Sequence, residues 1–146
     1  MTATASSRPG LQGVHHIAIT ATDIDASVEW YQRVLGLQPL PMQFPNHGAE
    51  ESGYAILLLE PSQGWAIGIH HNVANPGAPA DEAVTGLDHV GLAVASREDL
   101  DAWAAWLDSL GVQHAGVTDT SDPMPYSVLV FRDPDNIQLE LVHLPS

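Results

Sequence analysis

Two histidines, His16 and His89, stand at the same point of two similar segments of the chain. GVHHIAIT at residues 13–20 is matched by GLDHVGLA at residues 86–93. Imidazole nitrogens are common ligands of transition metals, and carboxylate oxygens often complete such sites. Matched histidines in a tandem repeat therefore predict a metal site assembled between the two halves of the chain.

Strand alternation adds two further candidate ligands. Neighbouring side chains of a β-strand point to opposite faces, and both histidines share their face with small residues. Aligning the bulky residues of the last strand of each half pairs His70 with Glu140, again on the small-residue face. A single strand histidine is more often packing than a ligand, but four residues at matched positions favour metal binding. We therefore predict that His16, His70, His89 and Glu140 bind one divalent ion.

Each half predicts the same order of elements, βαβββ. The helices show apolar stripes at helical spacing, with a capping residue before each (Thr22 or Asp23, then Ser96) and a glycine after it. The predicted fold class is α+β, with module 1 at residues 13–71, a Pro- and Gly-containing linker at 72–85 and module 2 at 86–144. Residues 1–12 are predicted to be a disordered leader, and the rest to form one structural domain.

Composition excludes several classes of function. The chain has 146 residues, no cysteine and a formal net charge of −14. Disulfides and thiolate metal sites are therefore absent, and the charge disfavours nucleic acid and anionic membranes as partners. No segment reads as a signal peptide or a membrane span, so we expect a cytoplasmic protein.

The repeat and the closing segment FRDPDNIQLEL at residues 131–141 resemble the vicinal oxygen chelate superfamily. That superfamily includes glyoxalase I, extradiol dioxygenases and bleomycin resistance proteins. The resemblance implies that the sheets of the two modules curl around a metal-binding cavity, with ligands on first and last strands. His16, His89 and Glu140 match those ligand positions, and His70 would stand where glyoxalase I has a second glutamate.

The ligand set suggests a reaction. Three imidazoles and one carboxylate suit Zn, Ni, Co, Fe or Mn better than Mg or Ca. An octahedral ion would keep two open positions, enough to chelate the vicinal oxygens of an α-hydroxycarbonyl or enediolate-forming substrate. Glu140 is the candidate catalytic base. This indicates a glyoxalase-like, metal-dependent lyase or isomerase.

Two alternatives stay open. A non-heme Fe(II) dioxygenase needs three open positions, which His70 as a ligand would deny. A bleomycin-resistance-type protein that sequesters a small molecule would suit the acidic charge, but the intact ligand set favours an enzyme. The chain contains only four arginines and no lysine, so a small, neutral or weakly charged substrate is expected.

Loops and strand ends supply the predicted substrate pocket. Loops on a rigid sheet often determine specificity, and the two long loops of the repeat differ in sequence. The predicted pocket residues are Phe44, His47, Tyr54, Trp65, Tyr126 and Arg132. A homodimer is also predicted, from the exposed sheet edges, from the surplus tryptophans on the helices (Trp30 and Trp106) and from the dimers that related families usually form.

Overall fold

Two modules of the same order follow each other in the computed structural model, which describes residues 7–146. The first comprises β1 (His16–Thr20), α1 (Ile24–Leu35), β2 (Gln38–Pro45), β3 (Gly53–Leu59) and β4 (Ala66–Asn72), with a 3-10 turn at Glu50–Ser52. The second comprises β5 (His89–Ala93), α2 (Arg97–Ser109), β6 (His114–Thr120), β7 (Tyr126–Arg132) and β8 (Gln138–His143). The predicted α+β class and tandem βαβββ modules are confirmed.

Each module forms its own four-stranded sheet. The strand orders are β1-β4-β3-β2 and β5-β8-β7-β6, and the sheets do not close on each other. The first strand of each module runs parallel to the last, and the other pairs are antiparallel. Helix α1 packs on the first sheet and α2 on the second. Each helix covers one face of its sheet, so the opposite face is free to carry a site.

Local sequence explains where the helices begin and end. The Asp23 side chain accepts a hydrogen bond from the Ala26 amide, and Gly36 ends α1 with φ 71°, a left-handed conformation that suits glycine. Ser96 and Asp99 form a reciprocal capping box at the start of α2. The two predicted capping positions, Asp23 and Ser96, are confirmed.

A buried polar clamp joins the two modules. The Tyr31 hydroxyl of α1 donates a 2.8 Å hydrogen bond to Asp133 Oδ2, and Thr22 Oγ1 donates one of 2.5 Å to Asp135 Oδ1. Both carboxylates lie in the turn before β8 and are under 10% exposed. Burial raises the pKa of Asp133, and the nearby Asp135 adds to this effect. The first module is therefore fixed to the turn that starts the last strand of the second.

The two tryptophans that suggested a homodimer, Trp30 and Trp106, both make contacts within the chain. The Trp30 ring lies 5.0 Å from the Tyr31 ring and 6.3 Å from that of Phe131, between the modules. Trp106 donates its indole N–H to the Val34 carbonyl at 2.9 Å and is 45% exposed. Trp30 thus contributes to packing between modules and gives no support for a dimer.

The segments outside the modules differ in how they are held. Of the predicted leader 1–12, residues 1–6 lie outside the described residues, and residues 7–12 are exposed without helix or strand. The predicted linker 72–85 is anchored, because the Ala80 amide donates to the Asp135 carbonyl at 2.7 Å. Across residues 7–146, no helix has the length and apolar character needed to cross a membrane.

Candidate metal and substrate site

The open face of each sheet carries one pair of the predicted ligands. In the first sheet His16 pairs with Ala66 and Thr20 with His70, which puts both histidines on the face away from α1. In the second sheet Gly91 pairs with Glu140, so that His89 and Glu140 share a face. A side chain added at Gly91 would meet nothing within 4 Å. The small residues keep these faces accessible.

His16 and His70 line one cavity of about 220 Å³, which we call the first half-site. Phe44 and His47 of the β2–β3 region also line it, together with Leu57 of β3. Partial burial lowers the pKa of His70, and the neighbouring His16 lowers it further. The first half-site therefore favours a neutral imidazole at His70, the form that binds a metal or accepts a proton.

His89 and Glu140 form the second half-site. His89 Nε2 lies 3.5 Å from Glu140 Oε2, and His89 Nδ1 lies 2.6 Å from Asp88 Oδ1. The hydrogen bond to Asp88, and to a lesser extent the charge of Glu140, raise the pKa of His89. A carboxylate behind the imidazole also fixes the ring and its basicity, as is usual for metal-binding histidines.

A chain of polar side chains orients Glu140. Gln138 Nε2 donates to Glu140 Oε1 at 2.9 Å, while Gln138 Oε1 accepts from Arg132 at 3.0 Å. Because arginine only donates, it fixes which end of the Gln138 amide faces Glu140. Arg132 is itself paired with Glu82 of the linker, and this pairing lowers the pKa of Glu82 to about 2. Glu140 Oε2 is therefore the oxygen turned toward His89.

The two half-sites do not meet within one chain. Among residues 7–146, no group of three or more histidine, aspartate or glutamate side chains is placed to hold a metal. His16 lines a cleft of about 620 Å³ with the last part of β5, residues 91–93, and the following 94–95. The end of β1 instead contacts the turn before β8, through Thr22 and Asp135. The start of β1 thus lies beside the end of β5, so the two strands run in opposite directions and His16 faces residues 91–95 instead of His89 at the start of β5.

The strand register corrects the repeat alignment that paired His70 with Glu140. His16 pairs with Ala66 and His89 with Gln138, so Gly68 is the residue equivalent to Glu140. His70 lies two residues further along on the same face. A Cβ built at Gly68 would lie 3.7 Å from His70 Nε2. The imidazole thus extends over the glycine, into the space that a side chain at position 68 would fill.

The predicted pocket residues fall in four places. Phe44 and His47 line the first half-site, and Trp65 lines the cleft between β1 and β5. Tyr54 pairs with His71, and its ring lies 5.5 Å from that histidine's ring on the core side of β3. The repeat had matched Tyr54 to Tyr126, but the register matches it to Ser127, so the two tyrosines point to opposite faces. Tyr54 therefore lies on the core side of β3, away from the two half-sites.

Arg132 and Tyr126 lie on the open face of β7. Arg132 pairs with Gln138 and Val130 with Glu140, so these β7 residues share the face of Glu140. Tyr126 is an even number of residues away from both and therefore lies on the same face. The Arg132 guanidinium is occupied by Glu82, Gln138 and the Asn136 carbonyl. Gln138 and Glu140 stand between Arg132 and His89, so Arg132 contacts the site through Gln138.

Four further residues belong to the half-sites and were not singled out from the sequence. Asn46 accepts from His70, Asp88 holds His89, Gln138 holds Glu140, and His15 lies with its Nδ1 2.9 Å from His16 Nδ1. Asp88 and Gln138 could have been found from their places beside predicted ligands on paired strands. Asn46 has no counterpart in the repeat, and its contact with His70 could not be predicted because the contact forms only when the loop folds back on β4.

Paired βαβββ modules with histidine and carboxylate side chains on their open sheet faces define a glyoxalase-like fold. The chain belongs to the Glyoxalase/Bleomycin resistance protein/Dioxygenase superfamily, whose family model matches residues 13–141. This confirms the resemblance noted from the repeat and from the closing segment.

Known relatives span nearly the whole chain. The chain is 32% identical over 135 residues to the uncharacterized protein YaeR of Escherichia coli (strain K12), covering 90% of this chain and 96% of that protein. A glyoxylase/bleomycin resistance protein/dioxygenase domain from Frankia sp. EAN1pec superposes with a TM-score of 0.77 at 28% identity, covering 91% and 98% of the two chains. Lactoylglutathione lyase from Agrobacterium tumefaciens superposes with a TM-score of 0.65 at 15% identity, covering 92% and 95%, which shows a shared fold.

Proposed function

We propose that this protein is a metal-dependent enzyme of the glyoxalase type, a lyase or isomerase acting on a small substrate with two vicinal oxygens. The observation that carries the proposal is the pair of complementary half-sites on open sheet faces. In each half-site a histidine ring is held through Nδ1, by Asn46 at His70 and by Asp88 at His89. Both rings can therefore direct Nε2 outward, where a metal or a substrate would bind.

The donor set fits a divalent transition metal shared between two chains. Because β1 and β5 run in opposite directions, His16 and His70 of one chain cannot meet His89 and Glu140 of the same chain. A symmetric homodimer that faces the first half-site of one chain with the second half-site of its partner would form two equal sites. Each site would then hold three imidazoles and one carboxylate, a set typical of Zn, Ni, Co, Fe or Mn.

The side chains have defined tasks in this proposal. A bound metal would supply Lewis-acid polarisation of the two substrate oxygens. Glu140 Oε2, when not bound to the metal, would take the proton from the carbon that carries the hydroxyl group and return it to the carbonyl carbon. The hydroxyl proton would pass to the former carbonyl oxygen, so that the substrate is isomerised with no loss of atoms. Gln138 keeps Oε1 occupied, so that the oxygen that moves the proton is defined. Phe44 and Leu57 exclude water from the first half-site.

The electrostatics favour a substrate with little negative charge. Arg132 is neutralised by Glu82, and Arg97 is bound by Asp101 and Asp119. Neither arginine is available for a phosphate, a glutathione carboxylate or a coenzyme A tail. A small neutral hydroxycarbonyl compound is the substrate class that fits.

One observation favours a second function, that of a non-heme Fe(II) dioxygenase. Gly68 occupies the position equivalent to Glu140 and offers no ligand atom. If His70 stays off the metal, then His16, His89 and Glu140 form a two-histidine, one-carboxylate set with three open positions. The two candidate functions therefore differ in whether His70 is a ligand.

Metal content of chelator-free protein, measured by plasma mass spectrometry, tests both candidates. We expect one divalent ion per chain, lost in His89→Ala and kept in His143→Ala, a matched control because that residue lies on the other face of β8. Full metal in His89→Ala would refute the site. His70→Ala separates the candidates, since loss of the metal supports the lyase or isomerase and retention supports the dioxygenase.

Mixing two inactive variants tests the shared site. His16→Ala breaks one half-site and Glu140→Ala breaks the other, so neither variant alone keeps a complete site. Refolded together in equal amounts, half of the dimers are mixed and each mixed dimer regains one of two sites, which restores about one quarter of the wild-type metal. A site formed within one chain would give no restoration.

A further inference from the structure

Asn46 is held in one orientation by two contacts from its amide nitrogen. Asn46 Nδ2 donates to Ser52 Oγ at 2.9 Å and to the His71 main-chain carbonyl at 3.2 Å. A carbonyl oxygen can only accept, so the nitrogen end of the amide must face it. The oxygen end, Oδ1, then faces the other way and lies 2.7 Å from His70 Nδ1.

This orientation determines the hydrogen position on His70. Because Asn46 Oδ1 carries no hydrogen, His70 Nδ1 must donate, and in a neutral imidazole Nε2 then has the free lone pair. We propose that Asn46 is a positioning residue that fixes the tautomer of His70, so that Nε2 enters the first half-site as an acceptor for a metal or a proton. The chemical use of that lone pair rests on the function proposed above, whereas the tautomer itself does not.

The tautomer of His70 matters because Nε2 lies close to position 68, the counterpart of Glu140. Nε2 lies 3.7 Å from a Cβ built at Gly68. A glutamate oxygen is three bonds from its Cβ, roughly 3 to 4 Å away. The His70 lone pair is therefore presented at about the distance from position 68 at which a glutamate there, the counterpart of Glu140, would place its oxygen. With the opposite tautomer, His70 would present an N–H there and could bind no metal through that atom.

The partner of His70 differs in kind from that of His89. Asp88 is a carboxylate and stabilises a positively charged imidazole, whereas the amide of Asn46 fixes the ring without adding charge. His70 is also the more buried of the two and sits in a cavity lined by apolar Phe44 and Leu57. Asn46 therefore suits a histidine that must remain a neutral acceptor.

The backbone is shaped to keep Asn46 in place. Gly53 has φ 147°, and a Cβ there would lie 2.0 Å from the same His71 carbonyl oxygen that accepts from Asn46. Only glycine allows β3 to begin this close to β4. The Ser52 hydroxyl, one residue earlier, supplies the second acceptor. The turn 50–53 thus brings the Ser52 hydroxyl beside the His71 carbonyl of β4, so that both acceptors lie within reach of Asn46.

Two-bond ¹H–¹⁵N correlation NMR of metal-free protein, at a pH where His70 is neutral, reads the tautomer directly. We expect a protonated Nδ1 and an unprotonated Nε2 at His70 in the wild type. In Asn46→Leu we expect a shift toward protonated Nε2, while Ser52→Ala, which leaves the His71 carbonyl contact, keeps the wild-type signature. The His89 signal serves as an internal reference, because its partner Asp88 is unchanged.

The wild-type spectrum alone can overturn the proposal, since protonated Nε2 at His70 would refute it even if Asn46→Leu did not fold. An unchanged His70 signature in folded Asn46→Leu would refute it as well. Metal affinity of the same variants tests the proposed function separately. If His70 is a ligand, Asn46→Leu should weaken metal binding by about 10- to 100-fold, whereas an altered tautomer with unchanged affinity would support Asn46 and count against His70 as a ligand.

Discussion

Removing the Tyr31 hydroxyl should destabilise the clamp between the modules. Tyr31 is 1% exposed and donates to Asp133 Oδ2 at 2.8 Å, while Asp133 Oδ1 accepts from the Asp135 and Ile137 amides. Phenylalanine fits the same space, so Tyr31→Phe removes one hydrogen bond and creates no cavity. The carboxylate oxygen that loses its donor stays buried.

The expected loss follows from the cost of an unpaired buried acceptor. A hydrogen bond to a charged group contributes about 1.5 to 3 kcal/mol to the free energy of unfolding. For a protein of this length that corresponds to a decrease in Tm of roughly 4 to 10 °C. The Tyr31 hydroxyl itself stays protonated in the fold, because burial and the charge of Asp133 raise its pKa.

Urea unfolding followed by circular dichroism measures this loss. Tyr54→Phe is the matched control, because the Tyr54 hydroxyl makes no hydrogen bond with residues 7–146; its change should stay within about 0.5 kcal/mol. A double-mutant cycle with Asp133→Asn then isolates the pair. If Tyr31→Phe unfolds at the same urea concentration as the control, the hydrogen bond from Tyr31 to Asp133 does not stabilise the fold.

Three further predictions concern pH, close packing and the open glycine. Burial raises the folded-state pKa of Asp133 above its unfolded value of 3.8. The free energy of unfolding of wild type, relative to that of Asp133→Asn, should therefore fall as pH rises from below 3.8 through the folded-state pKa. Parallel curves of stability against pH for the two proteins would contradict this. Gly53→Ala should be destabilised by at least about 1 to 3 kcal/mol in the same urea assay, because its Cβ would clash with the His71 carbonyl. Added to His70→Ala, which frees this space, Gly68→Glu should fold, since a Cβ there makes contacts of 3.5 Å or longer, and the double variant should bind metal more tightly than His70→Ala alone in a chelator competition; equal affinity would place residue 68 outside the coordination sphere.

The sequence alone determined the repeat, the order of elements and the faces of the predicted ligands. These features are local, because helix caps lie within a few residues of the helix they start and strand parity has a period of two. His16, His70, His89 and Glu140 were therefore placed on open faces without knowledge of strand pairing. The family match to residues 13–141 rests on the same repeated pattern.

Strand register could not be obtained from that pattern. Gly68 and His70 are two residues apart, so alternation assigns both to the same face, and only pairing with β1 shows which one corresponds to Glu140. A shift of one residue instead reverses the face, which is why Tyr54 packs on the core side although Tyr126 does not.

Tertiary structure also decided which residues act together. The opposite directions of β1 and β5 separate the two half-sites, although each was correctly placed on its own sheet. Asn46 reaches His70 only because Gly53 lets a loop approach the His71 carbonyl. Such contacts join residues distant in the chain through hydrogen bonds of specific direction, and no periodicity in the sequence encodes them.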